Sequence, residues 1–204
     1  DLKWCVAHRV GYRVVTDEEL GKLAASAHHE GVVADVLRAQ PLPLAGWLPT
    51  LPPGPQCLLW LDGVGNPHNF GAILRSAAHF GAAAVLLPET GTLTLSGAAA
   101  RVAEGGAEAL PLVRLGPVGE SLELLRAAGF SLAATVVRDG RPLFATPAPQ
   151  RLVYVLGAEG EGMDADLAGA CDMRVSIPGT GAVESLNVAA ATAVLLAHWA
   201  ARAA

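Results

Sequence analysis

The chain has 204 residues, of which 52% are hydrophobic and 16% are charged, and its formal net charge is −5. A chain this apolar can bury a sizeable core, which excludes intrinsic disorder. Its net negative charge excludes a protein whose whole surface is basic and coats nucleic acid. Aromatic residues make up only 5%, and the apolar content comes from Ala, Leu and Val. This favours an α/β protein with strands buried on both faces.

Cysteine usage and hydropathy predict a protein of the reducing cytoplasm without a membrane span. Cys5, Cys57 and Cys171 lie far apart and form no C-x-x-C pair, which argues against a disulfide framework and a zinc ribbon. The mean hydropathy is high, at +0.40. However, the longest uncharged stretch, residues 185–201, is dominated by Ala, which is a weak driver of membrane insertion. We predict a buried or interface-facing helix there.

The first 40 residues differ in composition from the rest. Thr16 predicts a helix N-cap, because acidic residues and then apolar residues at helical spacing follow it. A strand is predicted over Val32–Val36. The adjacent His28 and His29 have no third partner, so we predict no metal site there. Residues 41–55 contain six prolines and are predicted to be a linker.

After residue 55, predicted strands alternate with helices, which indicates a largely parallel sheet. The predicted strands are Cys57–Leu61, Ala83–Leu87, Ser131–Val137, Leu152–Leu156 and Arg174–Ile177. The predicted helices are Gly71–Phe80, Ser121–Ala128 and Leu186–Arg202. Ligands bind at the carboxyl ends of strands in such sheets, so the chemistry is expected in the loops 62–71, 157–163 and 178–187.

The first candidate motif follows a buried strand and opens a helix. It reads Asn66-Pro67-His68-Asn69-Phe70-Gly71-Ala72-Ile73-Leu74-Arg75. Backbone N–H groups at a helix start can hold a polar ligand group, and Arg75 lies inside the helix. Alternatively, Asn69 is only an N-cap and Arg75 a solvated charge. A dinucleotide-binding fingerprint fails here, because no third glycine follows Gly63 and Gly65.

Two further motifs are weak when taken alone. Residues 156–162 read Leu-Gly-Ala-Glu-Gly-Glu-Gly, and such glycines let the backbone approach a ligand closely, although an exposed acidic turn is the simpler explanation. Residues 177–188 hold Ile-Pro and then Ser-Leu-Asn-Val before the last helix. Ser185 is a natural N-cap, whereas Asn187 has a poor helix propensity. A serine hydrolase is not predicted, because no G-x-S-x-G surrounds Ser185.

Together, the three motifs resemble the SpoU family of S-adenosylmethionine-dependent RNA 2′-O-ribose methyltransferases, within the SPOUT superfamily. Their order and spacing match, and the resemblance spans residues 56–200. Residues 101–108, Arg-Val-Ala-Glu-Gly-Gly-Ala-Glu, are similar to a branch of poorly characterised tRNA/rRNA methyltransferase-like proteins. One departure is Gly179-Thr180 after Ile-Pro, where many family members carry Met.

The resemblance implies an α/β fold: a mostly parallel sheet with helices on both faces and a C-terminal trefoil knot. It also implies a homodimer with sites near the subunit interface. In this interpretation residues 1–40 are the remnant of an N-terminal RNA-binding domain, residues 41–55 are the linker, and residues 56–204 form the methyltransferase domain.

The resemblance further implies S-adenosylmethionine as the cofactor and rRNA or tRNA as the partner that is methylated. The implied catalytic and supporting residues are Arg75, Asn69, Glu159, Ser185 and Asn187. The implied cofactor-binding residues are Thr135, near the adenine, and Gly157, Ile177 and Leu186.

The role of Arg75 can be narrowed by chemistry. A guanidinium keeps its proton in proteins, so we expect Arg75 to hold a phosphate and stabilise a developing alkoxide rather than to act as a general base. Two other functions stay open at this point. One is a non-catalytic RNA-binding or assembly factor on the same fold, and the other is a nucleotide-binding oxidoreductase, which the broken glycine pattern disfavours.

Overall fold

A computed structural model describes residues 2–25, 29–36, 40–91, 93–158, 160 and 162–203. The chain divides into two compact units, residues 1–39 and residues 40–204. The division follows composition: the first unit buries none of its described residues, whereas the second contains the hydrophobic core.

The first unit contains two short helices, α1 (Leu2–Ala7) and α2 (Asp17–Ala24). Thr16 caps α2 as predicted: its hydroxyl accepts from the Glu19 N–H at 3.3 Å, and the Glu19 carboxylate accepts from the Thr16 N–H at 3.0 Å. The predicted strand at Val32–Val36 is wrong. These residues are irregular and exposed, because no neighbouring strand is present in the described part of this unit to pair with them.

The second unit is built on one sheet of parallel strands. The strands are β1 (Leu42–Pro43), β2 (Gln56–Leu61), β3 (Ala84–Leu87), β4 (Leu112–Arg114), β5 (Ser131–Thr135), β6 (Arg141–Pro142), β7 (Arg151–Leu156) and β8 (Met173–Ser176). Their order is β1-β4-β3-β2-β7-β5-β8-β6. Each described pairing is parallel, so the carboxyl ends of β2, β7, β5 and β8 lie at one edge of the sheet.

Helices cover both faces of this sheet. They are α3 (Leu44–Trp47), α4 (Pro67–His79), α5 (Gly97–Ala103), α6 (Gly106–Ala109), α7 (Val118–Ala127), α8 (Ala165–Ala170) and α9 (Val188–Ala203). Side chains of β2 alternate between the two cores, as the period of a strand requires. Cys57 and Leu59 pack in the core with α4 and α9, whereas Leu58 and Trp60 pack in the core with α3 and α7.

The proline-rich stretch differs from the predicted linker. Residues 42–50 form β1, α3 and a short 3-10 turn, and Leu44 and Trp47 are buried in the same core as Leu58. Apolar side chains between the prolines therefore anchor this stretch to the second unit. A high proline content is typical of linkers. Composition alone does not show that the apolar side chains between the prolines are buried in a core.

The uncharged C-terminal stretch forms α9, which packs against α4 and β7. Its inner face buries Thr192, Leu195 and Leu196, so the prediction of a buried helix is confirmed. Within the described residues, no helix combines the length and the apolar character that crossing a membrane requires.

Candidate functional site

The loops that follow β5, β7 and β8, together with the start of α9, enclose a cavity of about 540 Å³. A volume of this size is typical of sites that bind small molecules. The cavity is lined by all four residues predicted to hold a cofactor: Thr135, Gly157, Ile177 and Leu186. It lies at the carboxyl ends of parallel strands, where the topology of an α/β sheet predicts a ligand site.

The loop after β7 folds back tightly on itself. Ala158 and Gly162 exchange two backbone hydrogen bonds of 2.8 and 3.0 Å, and Gly160 and Gly162 have φ angles of +84° and +80°. A Cβ atom on Gly157 would lie 2.5 Å from the Gly162 carbonyl carbon. Glycine is therefore required at position 157 by the close approach of the two backbones. Glu159 lies outside the described residues, so its predicted supporting role stays a prediction.

Sequence reasoning missed an anchor of this loop. The Asp164 N–H donates to the Asp62 carboxylate at 3.1 Å, and the Asp62 N–H donates to the Leu156 carbonyl at 2.7 Å. Asp62 thus joins the end of β2 to both ends of the glycine-rich loop. Its position directly after a buried strand was the only signal in the sequence.

Thr135 lies at the end of β5, beside the cavity. Its hydroxyl donates to the Val155 carbonyl at 2.8 Å, which fixes the side-chain rotamer. An oxygen oriented in this way still has a lone pair that can accept a hydrogen bond from a ligand amine.

The start of α9 differs from the prediction. The helix begins at Val188 rather than at Leu186, and the side-chain oxygen of Asn187 accepts from the Ala189 N–H at 2.9 Å. Asn187, not Ser185, therefore makes the capping contact, which also explains an asparagine at this position. Ser185, Leu186 and Asn187 all line the cavity.

Asn69 joins α4 to the start of α9. The side-chain nitrogen of Asn187 donates to the side-chain oxygen of Asn69 at 3.0 Å. Asn66, not Asn69, is the N-cap of α4, because its side-chain oxygen accepts from the N–H groups of His68 and Asn69 at 2.9 and 3.3 Å. The side chain of Asn69 is thus available for a contact across the site.

A second cavity of about 280 Å³ adjoins the first. It is lined by Asn66 and Asn69, and it shares Ala158 and Val188 with the larger cavity. Two adjoining spaces, one lined by glycine-rich backbone and one by asparagine side chains, can hold two reactants side by side.

Arg75 lies apart from both cavities of the same chain. It lines neither of them, its side chain is 58% exposed, and its Nη1 atom forms an ion pair with Glu104 Oε1 at 2.8 Å. It lies six positions after Asn69, a rise of about 9 Å along the helix that also turns Arg75 to another face of α4. The fold therefore brings together the predicted cavity residues but not the predicted catalytic arginine.

A second exposed ion pair lies at the rim of the large cavity. Arg138, after β5, lies 3.4 Å from the carboxylate of Glu184, which lines the cavity. The pair connects two of the loops that form the site, and sequence motifs did not indicate it.

A buried polar pair links α9 to β7. The Tyr154 hydroxyl lies 3.4 Å from His198 Nδ1. Burial, above all, raises the pKa of Tyr154, so its hydroxyl keeps its proton and can donate to Nδ1. Burial, and then the Arg202 charge, lowers the pKa of His198, which favours the neutral imidazole. Across the described part of the chain, no cluster of three His, Cys, Asp or Glu residues could hold a metal ion.

The comparison with family models agrees with the geometry. The model of the SpoU rRNA Methylase family matches residues 56–197, which include the strands and loops around both cavities. The chain belongs to this family.

Two relatives of this chain are described as RNA methyltransferases. The chain is 39% identical over 199 residues to the "uncharacterized tRNA/rRNA methyltransferase YfiF" of Escherichia coli O157:H7, covering 97% of this chain and 57% of the relative. It is 38% identical over 195 residues to RlmB of Ralstonia nicotianae, a 23S rRNA (guanosine-2′-O-)-methyltransferase, covering 93% of this chain and 77% of RlmB. The chain thus spans little more than half the length of YfiF.

An AdoMet-bound rRNA methyltransferase from Sinorhizobium meliloti has a similar fold. Its crystal structure matches with a TM-score of 0.69 and 27% identity, covering 79% of this chain and 60% of that chain. The observed parallel sheet with helices on both faces is therefore the fold of known methyltransferases.

Proposed function

We propose that this chain transfers a methyl group from S-adenosylmethionine to a ribose 2′-hydroxyl of rRNA or tRNA, and that it does so in the cytoplasm. The observation that carries the proposal is the cavity formed by the loops after β5, β7 and β8, where all four predicted cofactor residues meet. Membership of the SpoU family and the descriptions of RlmB and of the AdoMet-bound structure support the same activity.

The residues of the large cavity fit this cofactor. Gly157 lets the loop that lines the cavity fold back closely on itself, Thr135 offers a hydroxyl lone pair, and Leu186, which is 46% exposed, offers an apolar surface. When bound, S-adenosylmethionine supplies an activated methyl group on a sulfonium. The transfer forms a bond to the ribose oxygen, breaks the carbon–sulfur bond and releases the hydroxyl proton to water.

The other site residues position the RNA. The Asn69–Asn187 hydrogen bond ties the small cavity to the large one, so a ribose in the small cavity would lie beside the methyl donor. The guanidinium of Arg75 would hold a backbone phosphate and stabilise the negative charge that develops on the 2′-oxygen. Ser185, at the edge of the large cavity, would contribute a hydroxyl to the same region.

We also propose that the active form is a homodimer in which Arg75 of one chain completes the cavity of its partner. Support comes from the exposed Arg75, which lies outside both cavities of its own chain. The C-terminal trefoil knot, and an RNA-binding role for residues 1–40, belong to the same proposal.

The activity can be tested with unmodified 23S rRNA transcribed in vitro and S-adenosylmethionine labelled in its methyl group. We expect label in the RNA and, after digestion to nucleosides and mass spectrometry, a methyl group on ribose. A methyl group on a base would contradict the proposed reaction. Cofactor binding without any transfer to 23S rRNA or tRNA transcripts would instead favour a non-catalytic RNA-binding or assembly factor.

A further inference from the structure

A carboxylate outside both cavities contacts the one arginine to which the proposed reaction gives a role. Glu104 Oε1 lies 2.8 Å from Arg75 Nη1, and it is the only ion-pair partner of Arg75 among the described residues. The contact engages one nitrogen of the guanidinium. A guanidinium has five N–H donors, so donors remain that can bind a second anion.

The backbone beside Glu104 is fastened to the backbone of Arg75. A Cβ atom on Gly106 would lie 2.8 Å from the Leu74 carbonyl oxygen and 2.9 Å from Arg75 Cα, so only glycine permits this approach. Gly71 makes a similar approach to Ala99 on α5, where an added Cβ would lie 2.5 Å from the carbonyl oxygen. These two contacts hold α5 and α6 firmly against α4.

Glu104 itself has a backbone conformation that few residues adopt. It is the C-cap of α5 with φ of +44°, and Gly105 follows with φ of +87°. A left-handed conformation is unfavourable for glutamate, whereas glycine or asparagine would adopt it at little cost. The sequence therefore keeps a carboxylate where helix capping alone favours a different residue.

Stability gives little reason for this carboxylate. The side chains of Arg75 and Glu104 are 58% and 61% exposed, and ion pairs between such exposed groups contribute little to folding. Orientation gives a better reason, because a free arginine side chain samples many rotamers, and a carboxylate carried on a tightly packed backbone favours a few of them.

We propose that Glu104 is a positioning residue, which holds Nη1 of Arg75 so that the rest of the guanidinium is presented to an RNA phosphate or to the developing 2′-alkoxide. This inference rests on the proposed methyl transfer for its catalytic consequence. The orientation of Arg75 itself can be measured without any reaction.

The test uses Glu104→Gln with Glu108→Gln as a matched control. Glu108 lies four residues further along the same segment, is exposed, and has no ion pair within the part of the chain that the structure describes. Both variants remove one negative charge and keep the side-chain shape, so they differ in the contact with Arg75.

The first readout is ¹⁵N NMR of the Arg75 guanidinium in the protein without RNA. We expect slow rotation of the Nη groups in the wild type and in Glu108→Gln, and faster rotation in Glu104→Gln. Equal rotation rates in the three proteins would overturn the inference, whatever activity the protein has.

The second readout is the kinetics of methyl transfer to 23S rRNA transcribed in vitro. We expect Glu104→Gln to lower kcat roughly fivefold, the size expected of one exposed charge-assisted contact, with an unchanged KM for S-adenosylmethionine. In a protein that already carries Arg75→Lys, Glu104→Gln should hardly lower kcat further, because the effects of substituting two residues that act through one contact do not add.

Two kinetic outcomes would contradict a positioning role: full additivity of the two substitutions, or a faster reaction in Glu104→Gln. A wild-type protein that transfers no methyl group would contradict the proposed function instead. In that case the NMR comparison still decides whether Glu104 holds Arg75.

Discussion

Single side chains in this site are held by two different kinds of contact. Asn69 and Asn187 contact each other at 3.0 Å across two helix starts, whereas Arg75 is held by an exposed ion pair with Glu104. The asparagines are therefore fixed with the fold. The ion pair engages one nitrogen of the arginine, so the remaining N–H donors of the guanidinium can bind an RNA phosphate.

Arg75→Lys tests the role of the guanidinium. Lysine keeps the positive charge but loses the planar fork that binds two oxygens at once. We expect turnover to fall by about a hundredfold, the order seen when one donor to a developing oxyanion is removed. Labelled methyl transfer to 23S rRNA measures turnover, and calorimetry should show unchanged affinity for S-adenosylmethionine. Turnover like that of the wild type would contradict the assignment.

Residues that the family resemblance names could be predicted from the sequence, and residues that act through tertiary contacts could not. Thr135, Gly157, Ile177 and Leu186, which the family resemblance implied, line one cavity at the carboxyl ends of parallel strands. Asp62 and Glu104 were missed as contacts because their partners are distant in sequence or on another helix. The Asp62–Asp164 hydrogen bond, for example, joins residues 102 positions apart.

At the level of elements, the glycine-rich loop after β7 forms one wall of the cavity. Its two arms touch at Gly157 and Gly162, and the Asp62 carboxylate holds its far end. The wall therefore depends on close backbone contacts rather than on large side chains.

Gly157→Ala should damage this wall. The new methyl group would lie 2.5 Å from Gly162 and Met163 backbone atoms, so the loop must shift. We expect affinity for S-adenosylmethionine, measured by equilibrium dialysis, to fall tenfold or more, a change of about 1.4 kcal/mol. Gly119→Ala on α7 is the control, because its Cβ would meet no atom within 4 Å. Equal affinities in the two variants would show that the loop does not form the site.

The pairing of α9 with β7 predicts a dependence of stability on pH. Burial, chiefly, lowers the pKa of His198 below the ordinary histidine value of about 6.5 in the folded state. Between the ordinary pKa and the lowered pKa, His198 is protonated in the unfolded chain but neutral in the folded chain. The free energy of unfolding should therefore fall as pH falls from 6.5 towards the lowered pKa of His198.

Urea unfolding at pH 7.5 and at pH 5.5 measures this dependence. His198→Asn keeps an acceptor for the Tyr154 hydroxyl and removes the titrating group, so its stability should fall less on acidification. His79→Asn, at an exposed position at the end of α4, should behave like the wild type. An identical fall in wild type and His198→Asn would contradict the prediction.

Hydrophobic periodicity predicted the longer helices and strands. Whether the shorter segments form strands depends on tertiary contacts, which the sequence pattern does not show. The strand predicted at Cys57–Leu61 is β2, which has one additional residue at its start. It could be predicted because a continuous apolar run is typical of a strand that is buried on both faces of a sheet. The three-residue β4 was not predicted, since so short a segment has no readable period. The apolar run at Val32–Val36 failed as a strand because local propensity cannot form a strand without a neighbour.

At the level of the whole molecule, the placement of Arg75 outside its own cavities predicts complementation between chains. A chain carrying Arg75→Lys retains an intact cavity, and a chain carrying Gly157→Ala retains an intact arginine. We expect each variant alone to be nearly inactive. Mixed dimers, refolded or co-expressed from both, should recover part of the wild-type methyl transfer.

One outcome of the complementation experiment would contradict the exchange of Arg75 between subunits. If mixed dimers form, as tagged chains can show, and remain as inactive as the parents, then each site is completed within one chain. The proposed exchange of Arg75 between subunits would then be wrong.

Calorimetric titration of the purified chain with S-adenosylmethionine is the decisive experiment for the proposed function, because the methyl transfer depends on the cavity between β5, β7, β8 and α9. We predict saturable binding at one site per chain, binding of S-adenosylhomocysteine at the same site, and at least tenfold weaker binding of both in Gly157→Ala. A folded wild-type protein that binds neither compound would contradict the assignment of the cavity to this cofactor.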